Sequence, residues 1–197
     1  MTTKHTLCIA MLLLSLASRC AMALEIDRAL PPLQIDGGEI TLSSDRGNGS
    51  NSKNEKPHYH DWPSSALVGE VTLLQILSAS RQSSTINQAF MDKFEAQFGA
   101  SRAVASTTIV TSNNIPSLFS GFVKSELKRN KQRHPQAVII NDKKGVSRQQ
   151  WQLPNTPAIS VLLDKNGVVR KYHDGQLSSS ESDAWIIFMH QLLAENN

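Results

Sequence analysis

Two histidines and an aspartate lie close together in the segment His58-Tyr59-His60-Asp61. In an extended strand, residues two positions apart point to the same side, so His58 and His60 would present their imidazoles together. Imidazole nitrogens and carboxylate oxygens are ligands that transition metals accept, and Asp61 could supply a third donor. The segment is therefore a candidate metal site, and the alternative is a surface loop beside a buried Trp62.

Thiol chemistry depends on the positions of the two cysteines, Cys8 and Cys20. A short basic start, an apolar run over residues 7–17 and the small residues of Ala21-Met22-Ala23 together predict a signal peptide over residues 1–23. Cleavage of this peptide would remove both cysteines, so the mature chain is predicted to contain none. A buried N-terminal helix is one alternative. A lipoprotein with lipid on Cys20 is another, but the residue before a lipidated cysteine is normally small and here it is Arg19.

The charge of the chain limits its partners. The net charge is +3, and removal of Lys4 and Arg19 with the signal peptide leaves about +1, so we predict no nucleic-acid partner. No segment after residue 23 is apolar enough to span a bilayer, so no stable membrane insertion is expected after cleavage. A basic run is predicted to face water near a helix end, with anion binding as the alternative; it comprises Lys124, Lys128, Arg129, Lys131 and Arg133.

Strands and helices alternate along the rest of the chain. Apolar runs predict strands over 71–77, 103–110 and 137–140, and a hairpin of strands 159–163 and 168–172 around the turn Asp164–Gly167. An earlier hairpin over 33–42 is predicted to turn at Asp36-Gly37-Gly38, and a flexible polar loop is predicted over 43–56. One helix is predicted to begin near Ser84 or Thr85 and to end at Gly99, and a last one ends near Leu193. Apolar residues recur every fourth position on one face of the first of these helices, at Ile86, Phe90, Phe94 and Phe98. Between these two helices, a second helix is predicted to bury Leu118, Phe119, Phe122, Val123 and Leu127.

Parallel strand–helix units, followed by an antiparallel hairpin and a closing helix, form the element order of a thioredoxin-like domain. We therefore predict a single α/β domain over residues 24–197. It would have a thioredoxin-like fold with an N-terminal β-hairpin extension and a central mixed sheet flanked by helices. About 170 residues are enough for one such core.

The working position of that fold is the turn after the first central strand, where the helix dipole and free backbone N–H groups stabilise a thiolate. Here the turn is residues 78–84, Ser-Ala-Ser-Arg-Gln-Ser-Ser, which contain no cysteine. A serine hydroxyl forms no disulfide and is far less acidic than a thiol. We therefore predict no catalytic residues, and neither thiol-disulfide oxidoreductase nor thiol peroxidase activity.

A helix N-terminus without a thiolate still attracts anions. Arg81, Ser83 and Ser84 are therefore candidate residues for binding a carboxylate, a phosphate or a partner's backbone, unless they only cap the helix and face solvent. Thr156 and Pro157 complete this candidate site. They precede the penultimate strand, where thioredoxin-like domains place a cis-proline beside the active turn; alternatively, Pro157 only bends the strand entrance.

Several blocks of sequence occur in an order similar to that of the YtfJ family of bacterial periplasmic proteins. They are Ser106-Thr-Thr-Ile-Val110, Asn113-Asn-Ile-Pro116, Phe122-Val-Lys-Ser-Glu-Leu127 and Trp151-Gln-Leu153, with Trp62, Leu67-Val-Gly69, Gln75 and Leu162-Leu-Asp164. The resemblance runs from about Pro32 to Leu193 and implies a thioredoxin-like protein of the Gram-negative periplasm. The family has no established biochemical function, so no catalytic residue or cofactor is transferred. The tract 43–56 and the turn 78–84 depart from the expected pattern.

Two functions of different kinds follow from these features. A retained fold, a retained Thr-Pro pair and a missing thiol favour an exported, non-catalytic binding or accessory protein, whose partner is an unknown periplasmic protein or peptide. The alternative is a non-thiol, metal-assisted enzyme that uses His58, His60 and Asp61. A regulator or envelope-stress factor is a further hypothesis, and export argues against direct contact with DNA. No cofactor is predicted.

Overall fold

The structure, a computed structural model, describes residues 22–43 and 55–195 of the chain. The strands are β1 (Gln34–Ser43), β2 (Lys56–Pro63), β3 (Thr72–Ser78), β4 (Ala105–Thr111), β5 (Val138–Asp142), β6 (Ala158–Leu163) and β7 (Val169–Asp174). The helices are α1 (Arg81–Thr85), α2 (Gln88–Phe98), α3 (Ser120–Arg133), α4 (Val146–Gln150) and α5 (Ser179–Ala194). Residues 1–21 of the predicted signal peptide and 44–54 of the predicted loop lie outside the described residues.

The seven strands form one mixed sheet in the order β2-β1-β5-β4-β3-β6-β7. β3, β4 and β5 run parallel to one another, whereas β6 is antiparallel to β3 and β7 is antiparallel to β6. The first five residues of β3 are all buried, as expected for a central strand that is covered on both faces. The predicted α/β fold with a central mixed sheet flanked by helices is confirmed.

One face of the sheet packs against α4 and the N-terminal segment 22–33. The buried indole of Trp151 donates its Nε1–H to the carbonyl of Pro31 at 2.9 Å. Ala29 forms an isolated antiparallel bridge with Val168, and the Leu30 amide donates to the Gly167 carbonyl at 2.9 Å. The N-terminal segment is thus attached to residues far along the chain, and it closes the core on this face.

The opposite face of the sheet is covered by α2 and α5. The predicted four-residue spacing of Phe90, Phe94 and Phe98 is confirmed as a buried stripe, and the rings of Phe90 and Trp185 meet edge to face at 5.8 Å. The prediction that this helix starts at Ser84 or Thr85 is wrong. A short α1 follows Ser80, and α2 starts after Asn87, because the buried Asn87 side chain is bonded to the Gly175 carbonyl and the Leu177 amide.

An N-terminal hairpin is present, but the predicted one within residues 33–42 is wrong, because that range forms a single strand. Asp36-Gly37-Gly38 lies inside β1, where the register with β2 shifts between Ile35 and Glu39. Gly37 has a φ of +55°, a left-handed conformation that glycine adopts at no steric cost. A side chain at Gly38 would collide with those of Ile35 and Ile140. The two glycines therefore form a bulge in a continuous strand, and β1 pairs with β2 instead.

The predicted buried stripe of the helix after β4 is wrong in its first half. Leu127 is buried and Val123 is half-buried, but Leu118, Phe119 and Phe122 are exposed. Leu118 and Phe119 belong to a 3-10 turn, Ser117–Phe119, that precedes α3, and its geometry differs from that of a continued α-helix. The apolar pattern predicted the helix correctly, but it predicted burial for three side chains that are exposed.

Candidate functional site

The candidate site lies where the three parallel strands end together. Ser78, Thr111 and Asp142 are the last residues of β3, β4 and β5, and they are adjacent because Ser78 pairs with Thr111 and Thr111 pairs with Asp142. In open α/β sheets, ligands bind outside the carboxyl ends of the strands, since the loops there converge. This edge is therefore the first place to look for function.

The turn after β3 is organised by serine hydroxyls. The Ser80 Oγ accepts from the Ser83 amide at 3.1 Å and lies 2.7 Å from the Ser83 Oγ, so Ser80 is the N-cap of α1. Ser83 is buried, whereas Ser84 is exposed and donates its hydroxyl to the Arg81 carbonyl at 2.7 Å. The Ser83 and Ser84 hydroxyls are thus engaged within the turn, and the exposed Arg81 is the remaining predicted group that a ligand could meet.

The strand end and the predicted Thr-Pro pair are in direct contact. The Ser78 amide donates to the Pro157 carbonyl at 3.0 Å, and the Ser78 hydroxyl donates to the Thr156 carbonyl at 3.1 Å. The Thr156–Pro157 peptide bond is trans, so Pro157 is not the cis-proline that thioredoxin-like domains place here. It directly precedes β6 and forms the entrance to that strand. The Thr156 hydroxyl is buried and has no hydrogen-bond partner. The sequence therefore placed this pair correctly, but Ser78 is the residue that joins it to the turn.

Arg148, which the sequence interpretation missed, holds the edge together. Its Nε donates to the Thr111 hydroxyl at 3.2 Å, and its Nη2 donates to the Ser78 hydroxyl at 3.2 Å and to the Thr156 carbonyl at 2.8 Å. Its Nη1 donates to the Pro154 carbonyl. One guanidinium thus links the ends of β3 and β4 to segment 154–157, and four of its five N–H groups are used.

The charge of Arg148 is not compensated by a contacting acid. All four acceptors are neutral, and within residues 22–43 and 55–195 no carboxylate lies within 4.0 Å of the guanidinium. Burial lowers the pKa of Arg148, and the more distant Asp174, Tyr172 and Asp142 oppose that shift. An arginine still keeps its proton at neutral pH. The edge therefore carries a half-buried positive charge with one N–H group left for an anionic ligand.

Asp142 positions Arg148 by fixing the start of α4. This carboxylate is fully buried and accepts from the amides of Val146 at 2.9 Å and Ser147 at 2.8 Å, and from the Ser147 hydroxyl at 2.7 Å. The turn into α4 passes through Gly145, whose φ is +67°. In the sequence, Asp142-Lys-Lys-Gly145 indicates only a turn after a strand. The role of Arg148 could not be predicted from that turn.

The candidate metal residues lie on β2 and are engaged in separate contacts. The His58 Nε2 is 2.8 Å from the Ser43 hydroxyl, and the His60 Nε2 is 3.0 Å from the Thr41 hydroxyl. Asp61 accepts from the Gly37 amide at 2.7 Å and so closes the bulge in β1. No group of three or more metal-ligating side chains converges in the part of the chain that the structure describes. The two histidines and Asp61 therefore stabilise the hairpin, and the structure does not assemble them as a ligand set.

The fold and the edge define a class, that of thioredoxin-like proteins whose active turn carries no thiol. Solved structures with the same fold include a candidate thiol:disulfide interchange protein DsbE from Chlorobium tepidum, at a TM-score of 0.55 and 14% identity over 87% of this chain and 99% of that one. Another is a candidate protein disulfide isomerase from Bacteroides thetaiotaomicron, at a TM-score of 0.55 and 15% identity over 87% of this chain and 91% of that one. At such identities the likeness establishes the fold alone.

The particular family follows from sequence. Residues 33–192 match the family model described as "Bacterial protein of unknown function (YtfJ_HI0045)". The "Uncharacterized protein YtfJ" of Escherichia coli is 31% identical over 98% of this chain and 100% of its own length. An uncharacterized protein of Haemophilus influenzae is 25% identical over 89% of this chain and 91% of its own length. The chain belongs to the YtfJ family, as the resemblance predicted.

Proposed function

We propose that this protein is an exported, non-redox binding protein that holds an extended peptide segment bearing a carboxylate at the edge formed by Ser78, Arg148 and Thr156. The binding edge retains the position at which thioredoxin-like proteins meet their substrates. It uses charge and backbone hydrogen bonds where those proteins use a thiol. The partner is a periplasmic protein or peptide.

The observation that carries the proposal is that no acid contacts the Arg148 guanidinium within the described residues. A planar guanidinium matches a carboxylate better than it matches hydroxyls and carbonyls, and charge-assisted hydrogen bonds are about twice as strong as neutral ones. Here the group is fixed by four neutral acceptors. Because the surrounding protein supplies no contacting acid within the described residues, an incoming carboxylate would gain both an N–H donor and a nearby positive charge.

The neighbouring segment supports an extended peptide as the ligand. Asn155 is exposed and makes no hydrogen bond within the described residues, so its backbone is free to pair with another chain. It lies beside Thr156, whose carbonyl is already bonded to Arg148 and Ser78. An added strand obtains affinity from main-chain hydrogen bonds, and the arginine would select the segment that carries an acid.

A crosslinking pair of variants tests this position. Asn155 and Asn166 are both exposed asparagines in loops at opposite ends of β6, separated by a strand of six residues, or roughly 20 Å. A photo-crosslinking amino acid is placed at each in turn, in cells that express the protein. We expect a discrete adduct from position 155 and none from position 166, and loss of the adduct when Arg148→Lys is added. Equal labelling at both positions, or no adduct at position 155, would refute the proposal.

A second measurement tests the role of the carboxylate. N-acetylated hexapeptide pools with a free C-terminal carboxylate are compared with the same pools as C-terminal amides, by binding to wild-type protein and to Arg148→Lys. Loss of one charge-assisted hydrogen bond corresponds to about a tenfold to hundredfold change in affinity. Equal affinity for the two pools in the wild type would remove arginine–carboxylate recognition from the proposal.

Export is tested on the chain itself. Cleavage before Leu24 predicts an N-terminal Leu24 in the protein recovered from a periplasmic fraction, which intact-mass analysis would detect. Leu24 is half-buried against the core, whereas Met22 and Ala23 are exposed, so a cut at this point leaves the packed residues in place. A full-length chain that remains in the cytoplasm would contradict the export part of the proposal.

A further inference from the structure

Three large apolar side chains are exposed together at the start of α3. Leu118 is 86% exposed, Phe119 56% and Phe122 67%. Seven large hydrophobic residues are exposed in the described chain, and these three fall within five consecutive positions. Every residue from 116 to 122 is exposed, so this stretch lies on the surface of the domain. We call Leu118, Phe119 and Phe122 the apolar tip.

The helix α3, which contains Phe122 and directly follows Leu118 and Phe119, carries a large positive charge. α3 contains five lysines and arginines and one acid, a net charge of +4, whereas the whole chain is +3, so the remainder of the chain is net negative. Arg129 and Arg133 follow Phe122 by seven and eleven positions, which places them on the same face, opposite the buried Leu127. Glu126 lies near this face and pairs with Arg129, so Arg133 is the arginine there whose charge is not paired within the described residues. Lys131 is half-buried and donates to the Ala137 carbonyl, so it contributes less to this face.

The shared face of Phe122, Arg129 and Arg133 fits a helix that lies along a bilayer surface. At a rise of about 1.5 Å per residue, Arg129 and Arg133 lie roughly 10 Å and 16 Å behind Phe122 along the helix axis. The headgroup layer on each side of a bilayer is only roughly 5–8 Å deep, so an end-on helix would leave both arginines outside it. A helix that lies along the surface instead places Phe122 at the acyl boundary and both arginines at the phosphates. The N-terminal end of α3 also carries the positive end of the helix dipole.

We propose that the apolar tip and the cationic face of α3 form a peripheral docking surface for an anionic phospholipid bilayer. Apolar side chains enter the acyl boundary, and the basic residues bind headgroup phosphates, as in other interfacial helices. The helix adsorbs to the bilayer and does not span it; no helix in the described part of the chain is long and apolar enough to cross a membrane. This surface shares no residue with the Arg148 edge, and the two are tested with different variants, so either proposal can fail without the other.

Vesicle co-sedimentation tests the docking surface. The protein is expressed from the full sequence, its N-terminus is determined by mass, and it is mixed with vesicles of phosphatidylglycerol and phosphatidylcholine or of phosphatidylcholine alone. We expect binding to the anionic vesicles that weakens as salt rises. The double variant Phe119→Ser, Phe122→Ser and the double variant Arg129→Gln, Arg133→Gln should each lower the partition coefficient by about tenfold or more.

Matched controls separate the patch from general effects. Val68→Ser with Ile187→Ser removes two apolar residues that are as exposed as the phenylalanines but lie elsewhere. Arg28→Gln with Lys165→Gln removes two exposed cations, and Arg28 pairs with Glu25 at the same three-residue spacing as Arg129 with Glu126. Each variant and its control have the same N-terminus. Any vesicle binding by the N-terminal residues is therefore equal in both.

Three results would overturn the proposal. They are equal binding to anionic and zwitterionic vesicles, retention of binding in both patch variants, and the same loss in the controls. Binding of the protein to polyglutamate but not to vesicles would also refute the proposal. The cationic face of α3 would then be a binding surface for an acidic polypeptide. All substituted side chains are largely exposed, so circular dichroism should show an unfolding midpoint within about 4 °C of wild type in each variant.

Discussion

Replacement of Arg148 by glutamine should destabilise the protein by about 2–4 kcal/mol, because it removes one side chain that joins three parts of the chain. The guanidinium makes four hydrogen bonds, to the side chains of Thr111 and Ser78 and to the carbonyls of Pro154 and Thr156. A hydrogen bond to a charged group contributes about 1.5–3 kcal/mol when it is buried. Arg148 is only half-buried, so water replaces part of each bond, and we take roughly 0.5–1 kcal/mol per bond.

Two further variants calibrate that figure. Arg148→Lys keeps the charge but replaces a planar fork by a single ammonium, which reaches fewer of the four acceptors, so it should lose about half as much stability. Arg129→Gln removes an exposed arginine that is paired with Glu126, and it should cost no more than about 1 kcal/mol. The expected order of stability is wild type, then Arg129→Gln, then Arg148→Lys, then Arg148→Gln.

Urea unfolding followed by tryptophan fluorescence measures these differences, because Trp62, Trp151 and Trp185 are all buried. The free energy of unfolding is obtained by linear extrapolation, and the slope of the transition should be unchanged. A loss below about 0.5 kcal/mol in Arg148→Gln, equal to a neutral surface substitution, would refute the assignment of Arg148 as the residue that holds the edge.

Three other substitutions test separate parts of the structure. Thr156→Val replaces a buried hydroxyl that has no partner by a methyl group of the same size, and it should raise stability by about 1 kcal/mol in urea unfolding; a loss would mean that the hydroxyl is bonded. Asp142→Asn should cost about 2 kcal/mol or more, because an amide cannot accept all the hydrogen bonds that now converge on the carboxylate, and an unchanged unfolding midpoint would contradict that geometry. Hydrogen bonds from the Ser178 hydroxyl and amide lower the pKa of Glu181, so its stabilisation is present above the unfolded-state pKa and is lost as the pH falls through the folded-state pKa. The unfolding midpoint of Glu181→Gln should therefore lie below that of wild type at pH 7, and the difference should shrink as the pH falls below the unfolded-state pKa; a difference as large at pH 3 as at pH 7 would rule out the charge as its cause.

The sequence predicts those elements whose own residues determine their position. β3 and β6 are largely apolar runs, β7 follows the turn Asp164–Gly167, and the phenylalanines of α2 recur every four residues. The bulge in β1 was misassigned because Asp36-Gly37-Gly38 has the residue types of a turn. Only the fit of Gly38 between Ile35 and Ile140 shows that the strand continues. The residue types at this position allow a turn, but contacts with distant parts of the fold make it a bulge in a continuous strand.

The candidate site was predictable only in part for a similar reason. Thr156 and the turn after β3 follow from the fold order, but Arg148 acquires its role from residues 37 and 70 positions earlier in the chain. No spacing within α4 indicates those contacts. The exposure of Phe122 has the same origin, because an apolar face of a helix does not specify whether another element covers it.

The attachment of the N-terminal segment determines when the core can be completed. Pro31 meets Trp151 across 120 positions, and Ala29 pairs with Val168. A chain emerging from the ribosome therefore holds its first packed residues without partners until nearly all of it has been made. Contacts between distant parts of a chain slow folding, since a long loop must close before they form. Until α4 and β7 arrive, the apolar residues of this face remain exposed to chaperones, which act on unfolded chains.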